Sequence, residues 1–339
     1  MDLIRKRIDY IDIFKGIGII YMIFGHVYFG DYFDTYIHGF HMPIFFFVAG
    51  YFFRADKYKN FGYFLLHELK TLMLPYTVFV FLCQPLHYLY TGHYSIKYFI
   101  LSFFTSNYNR IDVAGAYWFL LCLFTLHIVF YFIDRYLKSE VVKIIFIVSC
   151  SLFGCLSSIK LPLCLNSALA VLPLIYLGQC ANKYKDKEIV KQIFNISPIL
   201  IVALLVINMF LIELNGNVSN RTNHYSNLIL YWINCITAFI CYFNLSIYIS
   251  RWNNRILGYV RRMFSYIGKN SIVYLVINEL VIFTVRYLFS FVFAKLGASV
   301  EMDSFYLLKI FVGIITLVII SLVAAISNKT FIKVIFGRY

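Results

Sequence analysis

The stretch "IDIFKGIGIIYMIFGHVYFG", residues 11–30, is long and apolar enough to cross a bilayer as one helix. It nevertheless contains Asp12, Lys15 and His26, three ionisable groups that hydrocarbon disfavours. Such groups occur inside transmembrane helices mainly where they face the interior of a helix bundle or a water-filled cavity. The stretch therefore predicts a transmembrane helix with one polar face.

The composition of the whole chain indicates the same class of protein. Of its 339 residues, 61% are hydrophobic and only 14% are charged, whereas soluble domains have about 25% charged residues. Apolar runs of membrane-spanning length recur along the sequence, and no soluble domain, repeat or low-complexity segment separates them. We expect an all-α polytopic membrane protein in the cell membrane, with a single integral-membrane domain over residues 1–339.

These apolar runs predict a bundle of about ten transmembrane helices. Their ranges are about 11–29, 38–53, 72–91, 116–133, 141–157, 163–181, 194–214, 228–250, 271–294 and 304–326. The stretch 94–105 is too short to span and suggests an interfacial or re-entrant piece.

The positions of Lys and Arg predict the orientation of these helices. Of the 30 Lys and Arg residues, 23 fall in segments on the side of the N-terminus, five in loops on the other side and two within spans. Because cytoplasmic loops are enriched in Lys and Arg, both termini are expected in the cytoplasm. The net charge of +14 is thus spread over short loops, which suits membrane lipids or an anionic cofactor and does not indicate a nucleic-acid partner.

The polar groups of the first helix have a regular spacing. Lys15 and His26 are eleven residues apart, which is about three turns and roughly 16 Å along one helix face. His38 and His41 are one turn apart at the start of the second predicted helix, and the connection "GDYFDTYI" between the two helices is short. An antiparallel hairpin would bring the three histidines to a similar depth, and Ala49 and Gly50 would allow close helix contact there.

Each of these residues also has a simpler explanation when taken alone. A lone histidine in an apolar helix is often a packing residue, and Lys15 could extend its charge to the interface. The joint arrangement of three histidines above a cation on the same face favours a functional site. No acidic or thiol ligand has a clear place in this cluster, so we expect no metal.

Four sequence motifs resemble those of the membrane-bound acyltransferase family 3, in the branch that includes fucose 4-O-acetylase-like proteins. The motifs are "YIDIFKGIGIIYMIFGHV" at 10–27, "FHMPIFFFVAGYFF" at 40–53, "AYWFLLCLF" at 116–124 and "YIGKNSIVYLVINEL" at 266–280. The resemblance implies an integral membrane enzyme that moves an acyl group, commonly acetyl from acetyl-CoA, to a hydroxyl of a cell-surface sugar. It also implies that His26 is the catalytic histidine and that Lys15 is its paired basic residue.

Residues of this chain can be assigned to such a reaction. Histidine suits the removal of a proton from a sugar hydroxyl because its pKa lies near the working pH. We therefore expect His26 to be the general base, with His41 or His38 orienting it or the acceptor. An acyl-histidine intermediate is the less favoured alternative. Related sequences often have a histidine where this chain has Asn278, and the adjacent Glu279 should point about 100° away.

The donor is expected at the cytoplasmic end of the first helix. Lys15, held by Asp12, would meet the pyrophosphate or the start of the pantetheine arm of acetyl-CoA. Asn270 and Ser271 begin the ninth predicted helix, whose free N–H groups form a second candidate phosphate site. A cationic loop that contains Arg255 and Arg261 lies beside it, although these charges could serve orientation alone.

The acceptor side has weaker signals. Asn223 and Tyr225 lie in a polar outer loop, and Trp118 lies at the outer end of the fourth predicted helix. Amides and aromatic rings suit sugar recognition, but the loop could be merely solvated and Trp118 an interface anchor. A transporter or flippase for a lipid-linked glycan, and a membrane sensor or scaffold, are the alternatives to an enzyme. The sequence leaves open the acceptor sugar and the oligomeric state.

Overall fold

A computed structural model describes residues 9–91, 95–105, 115–295 and 305–339. The described residues are mostly helical, with one short β-hairpin. The elements of the first part of the chain are α1 (Asp9–Val27), α2 (Asp31–His38), α3 (His41–Phe52), a 3₁₀ turn (Ala55–Lys57), α4 (Phe61–Glu68), a π-helical segment (Leu69–Met73), α5 (Leu74–Thr91) and α6 (Ile96–Thr105).

The middle of the chain continues with shorter helices and the hairpin. Its elements are a 3₁₀ turn (Gly115–Tyr117), α7 (Trp118–Tyr136), α8 (Glu140–Leu156), α9 (Leu165–Ala170), α10 (Leu172–Lys183), α11 (Glu188–Ile193), α12 (Pro198–Asn215), β1 (Val218–Ser219) and β2 (His224–Tyr225). The two strands are antiparallel, with Val218 opposite Tyr225 and Ser219 opposite His224. The last elements are α13 (Leu228–Ser250), α14 (Arg255–Lys269), α15 (Ser271–Lys295), α16 (Tyr306–Lys329) and a 3₁₀ turn (Phe331–Phe336).

The predicted all-α, polytopic character is confirmed. Within the described residues, seven helices are long and apolar enough to cross a membrane: Asp9–Val27, Phe61–Cys83, Trp118–Tyr136, Pro198–Asn215, Leu228–Ser250, Ser271–Lys295 and Tyr306–Lys329. Of the other expected spans, α3 has 12 residues, α8 has 17, and the run 163–181 is divided between α9 and α10. The count of about ten and the cytoplasmic placement of both termini stay predictions.

Two segments expected to be loops are helices. The predicted connection between the first two spans is the helix α2. Asp31 and Asp34 in its first turn stabilise it, because negative side chains interact favourably with the positive end of the helix dipole. The predicted cationic loop is largely α14, which begins after Asn254, whose side chain accepts from the N–H of Leu257 at 2.7 Å. Hydropathy missed α14 because the helix is amphipathic and carries several charges instead of a long apolar run.

Helix α1 lies at the centre of the bundle and packs against α3, α13, α14, α15 and α16. Its closest neighbour is α14, and the approach depends on two glycines. A Cβ atom on Gly16 would lie 2.2 Å from the carbonyl oxygen of Phe264, and one on Gly268 would lie 1.7 Å from that of Asp12. Any larger side chain would force the two backbones apart, so these glycines set the position of the first turns of α1.

A second glycine-dependent crossing joins α3 to α10. A Cβ on Gly50 would lie 1.8 Å from the carbonyl oxygen of Ile175, and one on Gly178 would lie 1.9 Å from that of Phe47. The close helix contact expected at Gly50 therefore exists, but its partner is α10 and it lies at the far end of α3 from His41. The expectation that it would draw the histidine-bearing helices together is wrong.

We predict that Gly268→Ala destabilises the protein by about 3 kcal/mol, the upper part of the range for overpacking, because the obstructing atom is backbone. Thermal unfolding of the purified protein in detergent measures this. Gly62→Ala is the matched control, since a Cβ there would lie 3.4 Å from a side-chain oxygen of Asn60 and alanine favours a helix. Equal unfolding temperatures for the two variants would contradict the close crossing of α1 and α14.

Candidate functional site

The last turn of α1 brings His26 to a carboxylate of α15. The Nδ1 atom of His26 lies 3.5 Å from Oε1 of Glu279, and the two side chains are 31% and 16% exposed. A carboxylate on this side of the ring favours the tautomer in which Nδ1 carries the proton. The Nε2 atom is then a hydrogen-bond acceptor, which is the form that a general base needs.

Glu279 was not expected in this role. The rotation of about 100° between positions 278 and 279 is present, but it is Asn278 that points into the core, fully buried, and donates to the carbonyl oxygen of Leu275 at 2.7 Å. Glu279 then faces α1. The expectation that Glu279 is no simple substitute for a histidine at 278 assumed that position 278 faces His26, whereas the structure places Glu279 there and Asn278 in the core.

The other two histidines form a pair beside this site. The ring centroids of His38 and His41 are 5.3 Å apart, although the rings belong to different helices, α2 and α3. The Nδ1 atom of His38 donates to the carbonyl oxygen of Asp34 at 2.8 Å, and that of His41 donates to Ile37 at 2.7 Å. Both rings are therefore oriented by the backbone of α2, and His26 interacts electrostatically with His38. The predicted pairing of His38 with His41 is present, and the electrostatic interaction of His38 with His26 agrees with the predicted cluster.

A guanidinium fixes the end of α1 next to His26. The Nη2 atom of Arg286 donates to the carbonyl oxygen of Val27 at 2.6 Å. The last carbonyl groups of a helix lack partners within the helix, so a cation here satisfies one of them and complements the negative end of the dipole. Glu279 and Arg286 are seven residues apart on α15 and thus lie on one face. One face of α15 therefore holds both the His26 ring and the helix end that carries it.

At the other end of α1, Lys15 and Asp12 form the expected pair. The Nζ atom of Lys15 lies 2.9 Å from Oδ1 of Asp12, and the carboxylate is only 5% exposed. Asp12 is itself held where its backbone carbonyl meets Gly268 of α14. The α1–α14 crossing therefore determines where the ammonium group of Lys15 lies.

Lys15 lines a cavity of about 360 Å³, which we call the Lys15 cavity. Its walls are mainly aromatic and aliphatic side chains of α3, α7 and α15, and Ser271 of the predicted donor site is among its lining residues. Three polar features were not foreseen from the sequence. Arg54 and Lys57 line the cavity, as does the hydrogen-bonded pair in which Nδ1 of His127 lies 2.7 Å from Oε2 of Glu68. An apolar cavity with a few cations suits a long, weakly polar ligand that ends in an anion.

Asn270, also predicted to contact the donor, is engaged elsewhere. Its side chain is buried, and its Oδ1 accepts from Nδ2 of Asn328 at 2.9 Å and from Nη1 of Arg338 at 2.8 Å. Its Nδ2 donates to the carbonyl oxygen of Tyr266 at 2.8 Å. These bonds tie the α14–α15 turn to the C-terminal segment, so the position of Asn270 does not support a phosphate contact.

The predicted acceptor residues do not form one group. Trp118 is buried, with its ring against that of Phe119. Tyr225 donates to Oδ1 of Asn220 at 3.2 Å within the hairpin, and burial raises the pKa of its phenol well above the usual value. Asn223 occupies the left-handed turn of that hairpin, with φ of 54°. The loop expected at 215–227 is thus folded, and Tyr225 and Asn223 serve its structure.

The hairpin nevertheless lies against the histidine-bearing helix. Oγ1 of Thr35 in α2 donates to Oδ1 of Asn217 at 3.3 Å, and Arg221 interacts electrostatically with His26. Arg221 was not identified from the sequence, because a lone arginine in a polar loop carries no distinguishing signal. Within the residues that the structure describes, no three His, Cys, Asp or Glu side chains converge to hold a metal ion.

Comparison with known proteins gives a family. Neither the curated proteins nor the solved structures searched include a match to this chain. A family model described as an acyltransferase domain matches residues 8–326, which is nearly the whole chain and includes α1, the residues that line the Lys15 cavity, and the three histidines. The chain therefore belongs to acyltransferase family 3, and it is a multi-pass membrane acyltransferase.

Proposed function

We propose that the chain transfers an acetyl group from cytoplasmic acetyl-CoA to a hydroxyl of a cell-surface glycan or its lipid-linked precursor, in the cell membrane. The observation that carries this proposal is the approach of Nδ1 of His26 to the carboxylate of Glu279, which leaves Nε2 as a proton acceptor. Acyl transfer to an alcohol requires such an acceptor, because a sugar hydroxyl is a weak nucleophile.

In this mechanism Nε2 of His26 removes the hydroxyl proton as the sugar oxygen attacks the thioester carbonyl. The carbon–oxygen bond forms, and the carbonyl oxygen becomes an oxyanion. When the carbon–sulfur bond breaks, the imidazolium returns its proton to the departing thiolate. Glu279 stabilises the imidazolium in between, and Arg286 positions the ring by holding the end of α1.

The donor side of the proposal depends on Lys15. It lies eleven positions before His26, which corresponds to about 16 Å of helix rise and suits the length of a pantetheine arm. The Lys15 cavity is largely apolar, as the arm requires, and Lys15 and Ser271 supply polar contacts along it. Asp12 keeps the ammonium group in place through the 2.9 Å ion pair.

The acceptor side rests on the opposite end of α1. His38 and Arg221 both interact electrostatically with His26 there, and the hairpin contacts α2 through the hydrogen bond of Thr35 with Asn217. Charged and amide groups at this end suit a hydroxyl-rich ligand. Donor and acceptor would thus approach His26 from opposite ends of the same helix, so the two substrates need not share one entrance.

His26→Ala is expected to lower the rate of acetyl transfer by at least about 100-fold, the usual contribution of a general base. Purified protein is incubated with radiolabelled acetyl-CoA and a panel of candidate glycans, and labelled glycan is counted. The unfolding temperature of the variant is measured as a control for folding. Full transfer by a folded His26→Ala variant would contradict the proposed base. A transporter without acyl-transfer chemistry would give no labelled glycan even with the wild-type protein.

Glu279→Gln is expected to reduce kcat by on the order of tenfold, equivalent to the loss of one charge-assisted contact of about 1.5 kcal/mol. The KM for acetyl-CoA should not change, because Glu279 lies at the histidine end of α1 and not in the Lys15 cavity. Glu213→Gln is the matched control, since Glu213 is an exposed carboxylate near the end of α12. An equal effect of both substitutions would show that Glu279 does not act through His26.

Lys15→Gln is expected to raise the KM for acetyl-CoA about tenfold, through the loss of one cation next to an anionic ligand. Its effect on kcat at saturating donor should be smaller. Lys329→Gln, at the exposed end of α16, removes a cation outside the cavity and should leave the KM unchanged. A fall in kcat with an unaltered KM would place Lys15 in the chemical step instead of donor binding.

A further inference from the structure

A second, larger cavity adjoins the Lys15 cavity. It has a volume of about 640 Å³ and lies between the 3₁₀ turn after α3, the α7–α8 connection and the end of α10. We call it the Asp134 cavity. Three carboxylates, those of Asp56, Asp134 and Asp186, line it. The lining also includes six cations, which are Arg54, Arg135, Lys138, Lys143, Lys183 and Lys185.

The cations outnumber the carboxylates that could neutralise them. Lys143 pairs with Asp134 at 3.6 Å, and Lys183 pairs with Glu140 at 2.6 Å. The other four cations form no ion pair with any residue that the structure describes. A concave surface on which one sign of charge is in excess concentrates counter-ions, and the excess of cations here should attract a polyanion.

The cavity is a built feature and not only a solvated basic face. Lys143 is 6% exposed. Removing a cation from water costs free energy unless a nearby opposite charge compensates for the lost hydration. Asp134 joins three walls of the cavity. Its Oδ2 accepts from the backbone N–H of Ala55 at 3.1 Å, its Oδ1 accepts from Nε2 of Gln179 at 2.9 Å, and Lys143 lies beside it. The cations are therefore held around one space.

Phe53 and Arg54 line both cavities and so mark their junction. On one side of this junction the lining is rich in charged and amide groups, and on the other it is largely apolar and leads to Lys15. A pair of adjoining cavities with these characters fits a ligand that has a polyanionic head and a long uncharged arm. From the sequence, the cations of α7, α8 and α10 indicated only the orientation of the helices in the membrane.

We propose that the Asp134 cavity binds the phosphorylated nucleotide end of the CoA donor, with Arg54 at the junction facing the pyrophosphate and the acyl arm entering the Lys15 cavity. This inference rests on the proposed function, because it assigns a subsite to the same donor. It moves the main phosphate contacts away from the start of α15, where Asn270 is engaged in structural bonds. It also assigns cations of the α7–α8 connection and α10 to donor recognition.

The test is the affinity of the full-length protein for CoA in nanodiscs of zwitterionic lipid, so that anionic lipid does not compete. The variant is Lys138→Glu with Lys185→Glu, two exposed cations of the Asp134 cavity that do not line the Lys15 cavity. Calorimetry with CoA, 3′-dephospho-CoA and pantetheine as probes measures the dissociation constants. Lys329→Glu with Lys333→Glu is the matched control, because it reverses two exposed charges outside both cavities.

The double variant should bind CoA at least about tenfold more weakly than the control, since two attractive charges become repulsive. It should bind pantetheine as the control does, and the preference of the wild type for CoA over 3′-dephospho-CoA should shrink. Equal CoA affinities in variant and control would overturn this inference and leave the proposed function intact if the wild type transfers acetyl. Undetectable CoA binding by the wild type would also overturn it. A weakened variant in a protein that acetylates no glycan would support the subsite and contradict the proposed acceptor chemistry.

Discussion

The crossing of α1 and α14 is the constraint on which the rest of the structure depends. The two backbones meet at Gly16 and Gly268, where not even a Cβ atom fits. In a membrane, apolar side chains gain little by leaving lipid, so close packing at small residues contributes much of the helix association. This contact presents Asp12 and Lys15 to the interior at one end of α1. At the other end Arg286 holds the carbonyl of Val27, and His26 therefore has a fixed height and direction.

The two ends of α1 differ in character, and the difference agrees with two substrates of different chemistry. The Lys15 end adjoins two cavities, one apolar and one rich in cations. The His26 end has imidazole rings, the carboxylate of Glu279 and the hairpin, whose Arg221 interacts electrostatically with His26. A charged thioester donor suits the first end and a hydroxyl-rich acceptor suits the second. A single helix would then align both reactants on the one base between them.

The sequence predicted the polar features that lie within one helix or between adjacent helices. The spacing of Lys15 and His26 follows from helix geometry, and the meeting of the histidines follows from the short connection after α1. Features that depend on how distant helices rotate could not be predicted in this way. Glu279 and Asn278 are adjacent, and only the packing of α15 decides which of them faces His26. The amphipathic α14 escaped notice because hydropathy alone does not detect a helix that lies against the bundle with one charged face.

The cavities are the least accessible to sequence analysis, because their walls come from segments far apart in the chain. Arg54, Asp134 and Gln179 meet only after α3, α7 and α10 have packed, and that packing depends in part on the glycines of the α3–α10 crossing. The central claim is that the acyl arm runs along α1 from Lys15 to His26. The most direct measurement is a cryo-electron microscopy structure with a non-hydrolysable acetyl-CoA analogue. The account predicts the acyl carbon within about 4 Å of Nε2 of His26, a separation close enough for reaction. An acyl group that ends in the Lys15 cavity beside His127, or outside the bundle, would contradict it.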